Sequence, residues 1–325
     1  MATADQLRAL VQSHAEGDDT RFYSIALQVA AHAARNGQGH FALELRDLVD
    51  TLRKQQRPAP ARPTPVTQPR GELAGLLSVS YPSTRMADLV LAPDVRGRLD
   101  RVLVEQRQQD KLHAEGFRPL SKLLLVGPPG TGKTMTASAL AGELHLPLFV
   151  IRLDGLITKF MGETAAKLRL VFDALTTTRG LYLFDEVDAL GGERERSNDV
   201  GEIRRVLNSF LQFLEQDDSE SLLVAATNHP RLLDRAMFRR FEAVIEYPLP
   251  TPDVAVSVIQ NRLANIRMPD IDWTAVGAAS EGLSHADVTL AAEKAAKDAI
   301  LAMNTKVSTD SLVAALRDRS ARSTQ

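Results

Sequence analysis

The chain of 325 residues contains no cysteine. That excludes disulfides, thiolate zinc sites and cysteine nucleophiles, and it fits a reducing compartment. Charge of neither sign dominates. Lys and Arg number 39 against 41 Asp and Glu, a formal net charge of −2, so no bulk charge draws the protein to nucleic acid or to an anionic membrane. No run of about 18 apolar residues occurs, and no membrane span is expected. The opening MATADQLRAL has no basic stretch leading into an apolar one, so no secretory leader is expected and the protein reads as cytoplasmic. No His-Glu-x-x-His occurs either, which leaves no helical zinc-protease motif.

What is present falls into four segments. Leu7, Leu10, Val11 and His14 share one helix face; so do Phe22, Ile25, Ala26, Val29 and Ala33, and then Phe41, Leu45, Leu48, Val49 and Leu52. Three narrow apolar stripes predict a small helical bundle over 1–56. RPAPARPTPVTQPR at 57–70 has five prolines, which forbid helix and favour extended chain. The expectation is a Pro-rich linker over 57–84. From residue 85 buried strands alternate with helical patterns: apolar runs at 122–127, 146–154, 181–186 and 221–228, helices at 134–145, 163–177 and 201–216. This predicts an α/β subdomain over 85–250, a parallel sheet covered by helices on both faces. After Pro248-Leu249-Pro250 the strands stop, and Ala-rich helical patterns predict a helical lid over 251–325.

The chemistry begins at GPPGTGKT, residues 127–134. Gly127, Pro128, Pro129, Gly130, Thr131 and Gly132 form a loop between an apolar strand and a helix. Small residues let such a backbone curl with its N–H groups inward, around a triphosphate. The helix starting near Lys133 adds its partial positive end. Lys133 reaches β- and γ-phosphates, and the Thr134 hydroxyl ligates Mg²⁺. LYLFDE, residues 181–186, supplies four apolar residues and then Asp185 and Glu186 where the strand should emerge. Ligands of open α/β sheets bind at that edge. Asp185 is placed to hold Mg²⁺ and Glu186 to polarise the attacking water. The expected cofactors are ATP and Mg²⁺.

With these motifs in order, the sequence resembles the AAA family of ATPases over roughly residues 85–305. The resemblance implies further roles. VAATNHP puts Asn228 where the family has a polar residue that orients the lytic water. LDRAMFRRFE carries Arg239 and Arg240 where the family's arginines reach a neighbouring subunit's nucleotide. One phosphate loop with arginines acting in trans implies a ring, in this family a homo-hexamer. EGLSHADV places His285 and Ala286 beside base and ribose; glycine is usual where His285 stands. MADLVL at 86–91 would give backbone contacts to the base. FRRFE without an inserted Pro-Gly looks like the katanin and spastin branch, whereas LAPDVRGRLDRVLVEQ looks like bacterial stand-alone members.

The resemblance also makes GLITKFMGE, residues 155–163, a pore-lining loop, with Lys159, Phe160 and Met161 on it. An exposed aromatic and a methionine give an apolar grip that is indifferent to sequence. The expected function is an ATP-driven protein remodeller that unfolds, translocates or disassembles a polypeptide substrate. The N-terminal bundle would recruit a substrate or adaptor, and any protease would be a separate chain. The alternative is a nucleic-acid-associated motor or loader, disfavoured by the aromatic pore loop and the near-neutral charge.

Overall fold

The computed structural model describes residues 26, 29, 30, 71–156, 163–190, 200–266, 268, 270–302 and 306–323. Two compact units divide the chain, Met1–Val66 and Thr67–Gln325. In the first, Ala26, Val29 and Ala30 are helical and buried, the spacing of one helix face. The rest of the expected bundle, and the Pro-rich stretch 57–70, lie outside the described residues.

In the second unit six strands form one sheet. They are β1 (Leu77–Ser80), β2 (Lys122–Val126), β3 (Leu148–Ile151), β4 (Leu181–Phe184), β5 (Leu222–Thr227) and β6 (Ala243–Glu246), in the spatial order β1-β3-β4-β5-β2-β6. All neighbours are parallel except β1, which pairs antiparallel with β3. The inner strands β2 to β5 read as apolar runs because both faces are covered, and successive residues point to opposite faces. Leu124, Tyr182, Phe184 and Leu223 pack under α4 (Glu163–Thr177) and α5 (Val200–Gln216), where Phe172 and Phe210 meet Phe184. Leu123, Leu125, Leu183 and Val224 pack under α1 (Pro93–Arg107) and α3 (Lys133–Leu144). A short α2 (Gln109–Ala114) follows α1.

The expected linker is corrected at its C-terminal end. Residues 73–76 form a helical turn and 77–80 the edge strand β1, whose Leu77 lies opposite Ile151. Four residues of LSVS carry little periodic signal, and their pairing is supplied by β3, about 70 residues further on. The apolar run at 146–154 also divides: β3 stops at Ile151, and Leu153–Leu156 turn helical.

Beyond Pro250 the chain is helical, as expected: α6 (Pro252–Arg262), α7 (Trp273–Ala279), α8 (His285–Leu301) and α9 (Thr309–Ser323). They enclose their own cluster, with Ile259, Val276, Val288, Ala292 and Leu312 fully buried. Thr251 and Asp272 cap α6 and α7 by accepting backbone N–H groups, and Ser284 with Asp287 forms a capping box on α8, each stabilising a helix start by about 1 kcal/mol. The α8 cap brings that helix end against the glycine loop at Gly130.

Candidate nucleotide site

The loop 127–132 leaves β2 and enters α3 with Gly127, Gly130 and Gly132 at φ 152°, 74° and 98°. Side chains are excluded there for a second reason at two positions. A Cβ on Gly127 would collide with the Tyr247 carbonyl, and one on Gly130 would lie 2.6 Å from Ser284 Oγ. The glycines thus let the loop pass close to β6 on one side and to α8 on the other.

Lys133, the first residue of α3, is 6% exposed. Its ammonium donates to the Gly127 and Pro128 carbonyls, each at 2.8 Å, and approaches Thr131 Oγ1 at 3.5 Å. Burial lowers its proton affinity, and the nearby Asp185 and Asp188 partly offset that. Thr131 is fully buried and donates to the Pro128 carbonyl at 2.8 Å. Thr134 Oγ1 donates to Asp185 Oδ2 at 2.7 Å. Pro129 sits on the exposed crest of the loop.

Parallel pairing brings the acidic and polar residues to the same edge. Phe184 lies opposite Ala225 and Val126 opposite Thr227, so Asp185–Glu186, Asn228 and Gly127 all leave the sheet at its C-terminal side. Glu186 is exposed and adopts a left-handed backbone, φ 53°, uncommon for a residue with a side chain. Its N–H donates to Asp185 Oδ1 at 3.0 Å. Asn228 is half-buried.

Opposite the loop lies a cavity of about 440 Å³. Its wall brings together Val90 and Leu91 from the segment before α1, Gly132 and Met135 at the start of α3, and His285 and Thr289 on α8. Ala286 does a different job: its N–H donates to the Gly130 carbonyl at 3.0 Å, tying the C-terminal helices to the glycine loop.

The two arginines, alike in sequence, are unlike in place. Arg240 pairs with Glu215 of α5 at 3.1 Å. The Arg239 side chain is exposed, and among the described residues it makes no hydrogen bond or ion pair. Asp234 starts the turn before them by accepting the Ala236 N–H at 2.9 Å, and Phe241 anchors the end by being buried. Lys159, Phe160 and Met161 lie outside the described residues.

Sequence reasoning passed over three residues. Asp188 accepts from Thr227 Oγ1 at 2.7 Å, locking the acidic segment to β5. Tyr247 donates its hydroxyl to Thr136 at 2.9 Å, and Thr136 donates to the Gly132 carbonyl at 3.0 Å. This buried chain braces the first turn of α3. Asp188 could have been flagged from its acidic neighbours in DEVD. Tyr247 lies 111 residues from its partner and carried no local signal.

Residues 123–249 match the family model of the ATPase family associated with various cellular activities, AAA. The uncharacterized AAA family ATPase y4kL of Sinorhizobium fredii is 32% identical over 99% of this chain and 97% of that protein. The chain belongs to the AAA family. It is a nucleotide-binding enzyme that hydrolyses ATP, and the glycine loop at 127–134 lies within the matched residues. The ATP-dependent zinc metalloprotease FtsH of Lancefieldella parvula is 32% identical over 69% of the chain, which spans 36% of the FtsH length. The fold is that of the FIGL-1 AAA domain, with a TM-score of 0.62 over 79% of this chain and 91% of that one, at 24% identity.

Proposed function

We propose that this AAA ATPase is a protein remodeller, an unfoldase, translocase or disassembly motor, working as a homo-hexameric ring on polypeptide substrates. The observation that carries the ring is the exposed, unpartnered Arg239 beside an Arg240 already engaged by Glu215. A cation held out from its own chain suits a transition state in the neighbouring subunit, where charge spreads over the phosphoryl oxygens.

The residues divide the work as follows. The loop N–H groups and Lys133 bind phosphates, and Lys133 must exchange the Gly127 and Pro128 carbonyls for phosphate oxygens to do so. Two hard oxygen donors, Thr134 Oγ1 and Asp185 Oδ2, converge to 2.7 Å, which fits Mg²⁺, an ion that takes few protein ligands beside phosphate oxygens. When bound, Mg²⁺ neutralises phosphate charge. Glu186 polarises the lytic water, and Asn228 orients it. The cavity formed by 88–91, Met135 and His285 receives the base.

Polypeptide as the substrate class is supported by Lys159, Phe160 and Met161, an apolar grip with no basic run. The relative FtsH, by its name a protease, supports the same class. No helix among the described residues is long and apolar enough to cross a membrane, and we place the ring in the cytoplasm. The bundle at 1–56 collects substrates or an adaptor for the ring, and a separate protease would degrade what the ring unfolds.

The test is capture with Glu186→Gln, which should bind ATP and hold its substrate. Mass spectrometry of the retained material should find specific polypeptides, released when Lys133→Ala is added to the same background. Retention of nucleic acid instead, sensitive to nuclease and not to the Phe160→Ala change, would favour a nucleic-acid motor.

A further inference from the structure

Tyr247, just after β6, is 3% exposed, and Thr136, one turn into α3, is fully buried. Neither belongs to the glycine motif at 127–134, yet Tyr247 touches both ends of its loop. At the start, the Tyr247 N–H donates to the Val126 carbonyl at 2.7 Å, and the Tyr247 carbonyl packs against Gly127. At the end, the Tyr247 hydroxyl donates to Thr136 Oγ1 at 2.9 Å, and Thr136 Oγ1 donates to the Gly132 carbonyl at 3.0 Å.

The last member of this chain fixes its direction. A carbonyl only accepts, so the one hydroxyl hydrogen of Thr136 goes to Gly132, and Tyr247 must supply the hydrogen between the two side chains. Burial raises the proton affinity of the phenol, with the bond to Thr136 offsetting part of that, so the donor keeps its hydrogen near pH 7.

What the chain holds is a peptide with little packing of its own. Gly132 is left-handed at φ 98°, and no described residue beyond its neighbours comes within 4 Å of where its Cβ would sit. A glycine in such space is free to turn its peptide. Here its carbonyl accepts twice from Thr136, from the backbone N–H at 2.8 Å and from the hydroxyl. The Gly132–Lys133 peptide is trans, so a carbonyl held toward the body of α3 turns the Lys133 N–H the opposite way. That N–H lies in the first turn of α3, where no carbonyl of the helix accepts it, and such donors meet anions.

We infer that Tyr247 is a positioning residue for the nucleotide's phosphates: from the end of β6 it holds both ends of the glycine loop, and through Thr136 it aims the Lys133 N–H at a phosphate oxygen. Donation by Tyr247 also polarises the Thr136 hydroxyl and strengthens its bond to Gly132. The inference rests on the reading that this loop takes the phosphates. A brace for folding alone would leave nucleotide affinity indifferent to the Tyr247 hydroxyl.

The test is equilibrium binding of ADP with Mg²⁺, with thermal melting of the same preparations. The proteins are the full chain, Tyr247→Phe, Thr136→Val, the double variant, Thr136→Ser and Lys133→Ala. Tyr247→Phe keeps the ring and removes one hydroxyl, and it should weaken ADP binding by about three- to tenfold. Thr136→Val should weaken it at least as much. Adding Tyr247→Phe to Thr136→Val should cost nothing further, since both act through one bond to Gly132. Thr136→Ser keeps that hydroxyl and should bind ADP within about twofold of the full chain, even where its melting temperature falls. Unchanged ADP affinity in Tyr247→Phe, whatever its melting temperature, would make the pair a brace for folding and overturn the inference. Losses that add in the double variant would overturn it too. Lys133→Ala separates the two readings: lost ADP binding leaves the loop as the phosphate site, and full ADP binding overturns both.

Discussion

Glu186→Gln should lower kcat for ATP by about 10²–10⁴-fold and leave nucleotide affinity within a few fold. Glutamine keeps the size of the side chain and removes the carboxylate proposed to polarise water. The groups proposed to bind, Lys133, Thr134 and Asp185, hold their contacts through β2, α3 and β4, none of which involves the Glu186 side chain. The left-handed backbone at φ 53° is no harder for glutamine than for glutamate, so the melting temperature should stay within about 1 °C. Steady-state phosphate release and nucleotide titration on one preparation check this. Hydrolysis near the wild-type rate would remove Glu186 from the chemistry and leave Asp188, its neighbour on the same edge, as the group to examine.

Arg239→Ala should cost about 10³-fold in turnover, the lower end of what a transition-state arginine contributes in phosphate-loop enzymes, or about 4 kcal/mol of barrier. Folding should not suffer, since the Arg239 side chain is exposed and makes no hydrogen bond or ion pair among the described residues. Arg240→Ala makes the contrast. It removes a half-exposed pair with Glu215, worth about 0–1 kcal/mol, and should act on stability more than on rate. Action across an interface has its own signature. Mixing Arg239→Ala with Glu186→Gln subunits creates interfaces in which an intact Glu186 site meets an intact Arg239. Turnover should rise above the sum of the two parents. Mixed rings that stay at that sum would place Arg239 in its own subunit's site or outside the chemistry.

The glycine loop with its helix start and the strand before Asp185 were legible because each is a contiguous motif. Glycines, a lysine and a helix start lie within eight residues at 127–134, and the apolar run before Asp185 announces a buried strand. The sheet's inner strands were legible for a related reason: burial on both faces leaves no polar alternation to blur them. The edges were not. β1 is four residues long and is a strand only because β3 lies beside it, and β6 likewise depends on β2. The same limit applies within the site. RR at 239–240 gives both arginines one reading, and only the approach of Glu215 from α5 separates them. Tyr247 braces α3 through Thr136 by a contact that no local pattern encodes. His285 and the 86–91 segment were linked by resemblance, whereas their meeting across a cavity is a property of how the lid folds back on the loop.

The measurement that bears most directly on a polypeptide motor is ATPase stimulation by an unfolded polypeptide, read with thermal melting for the full chain and for Phe160→Ala. The full chain should be stimulated. Phe160→Ala should keep its basal rate and its melting temperature and lose the stimulation. An exposed aromatic contributes about 0.5–1.5 kcal/mol of grip, repeated in each subunit, whereas truncating a buried one would cost about 3–5 kcal/mol of stability. A normal melt with full stimulation by polypeptide in Phe160→Ala would contradict the grip, and no stimulation of the full chain by any unfolded polypeptide would contradict the motor itself.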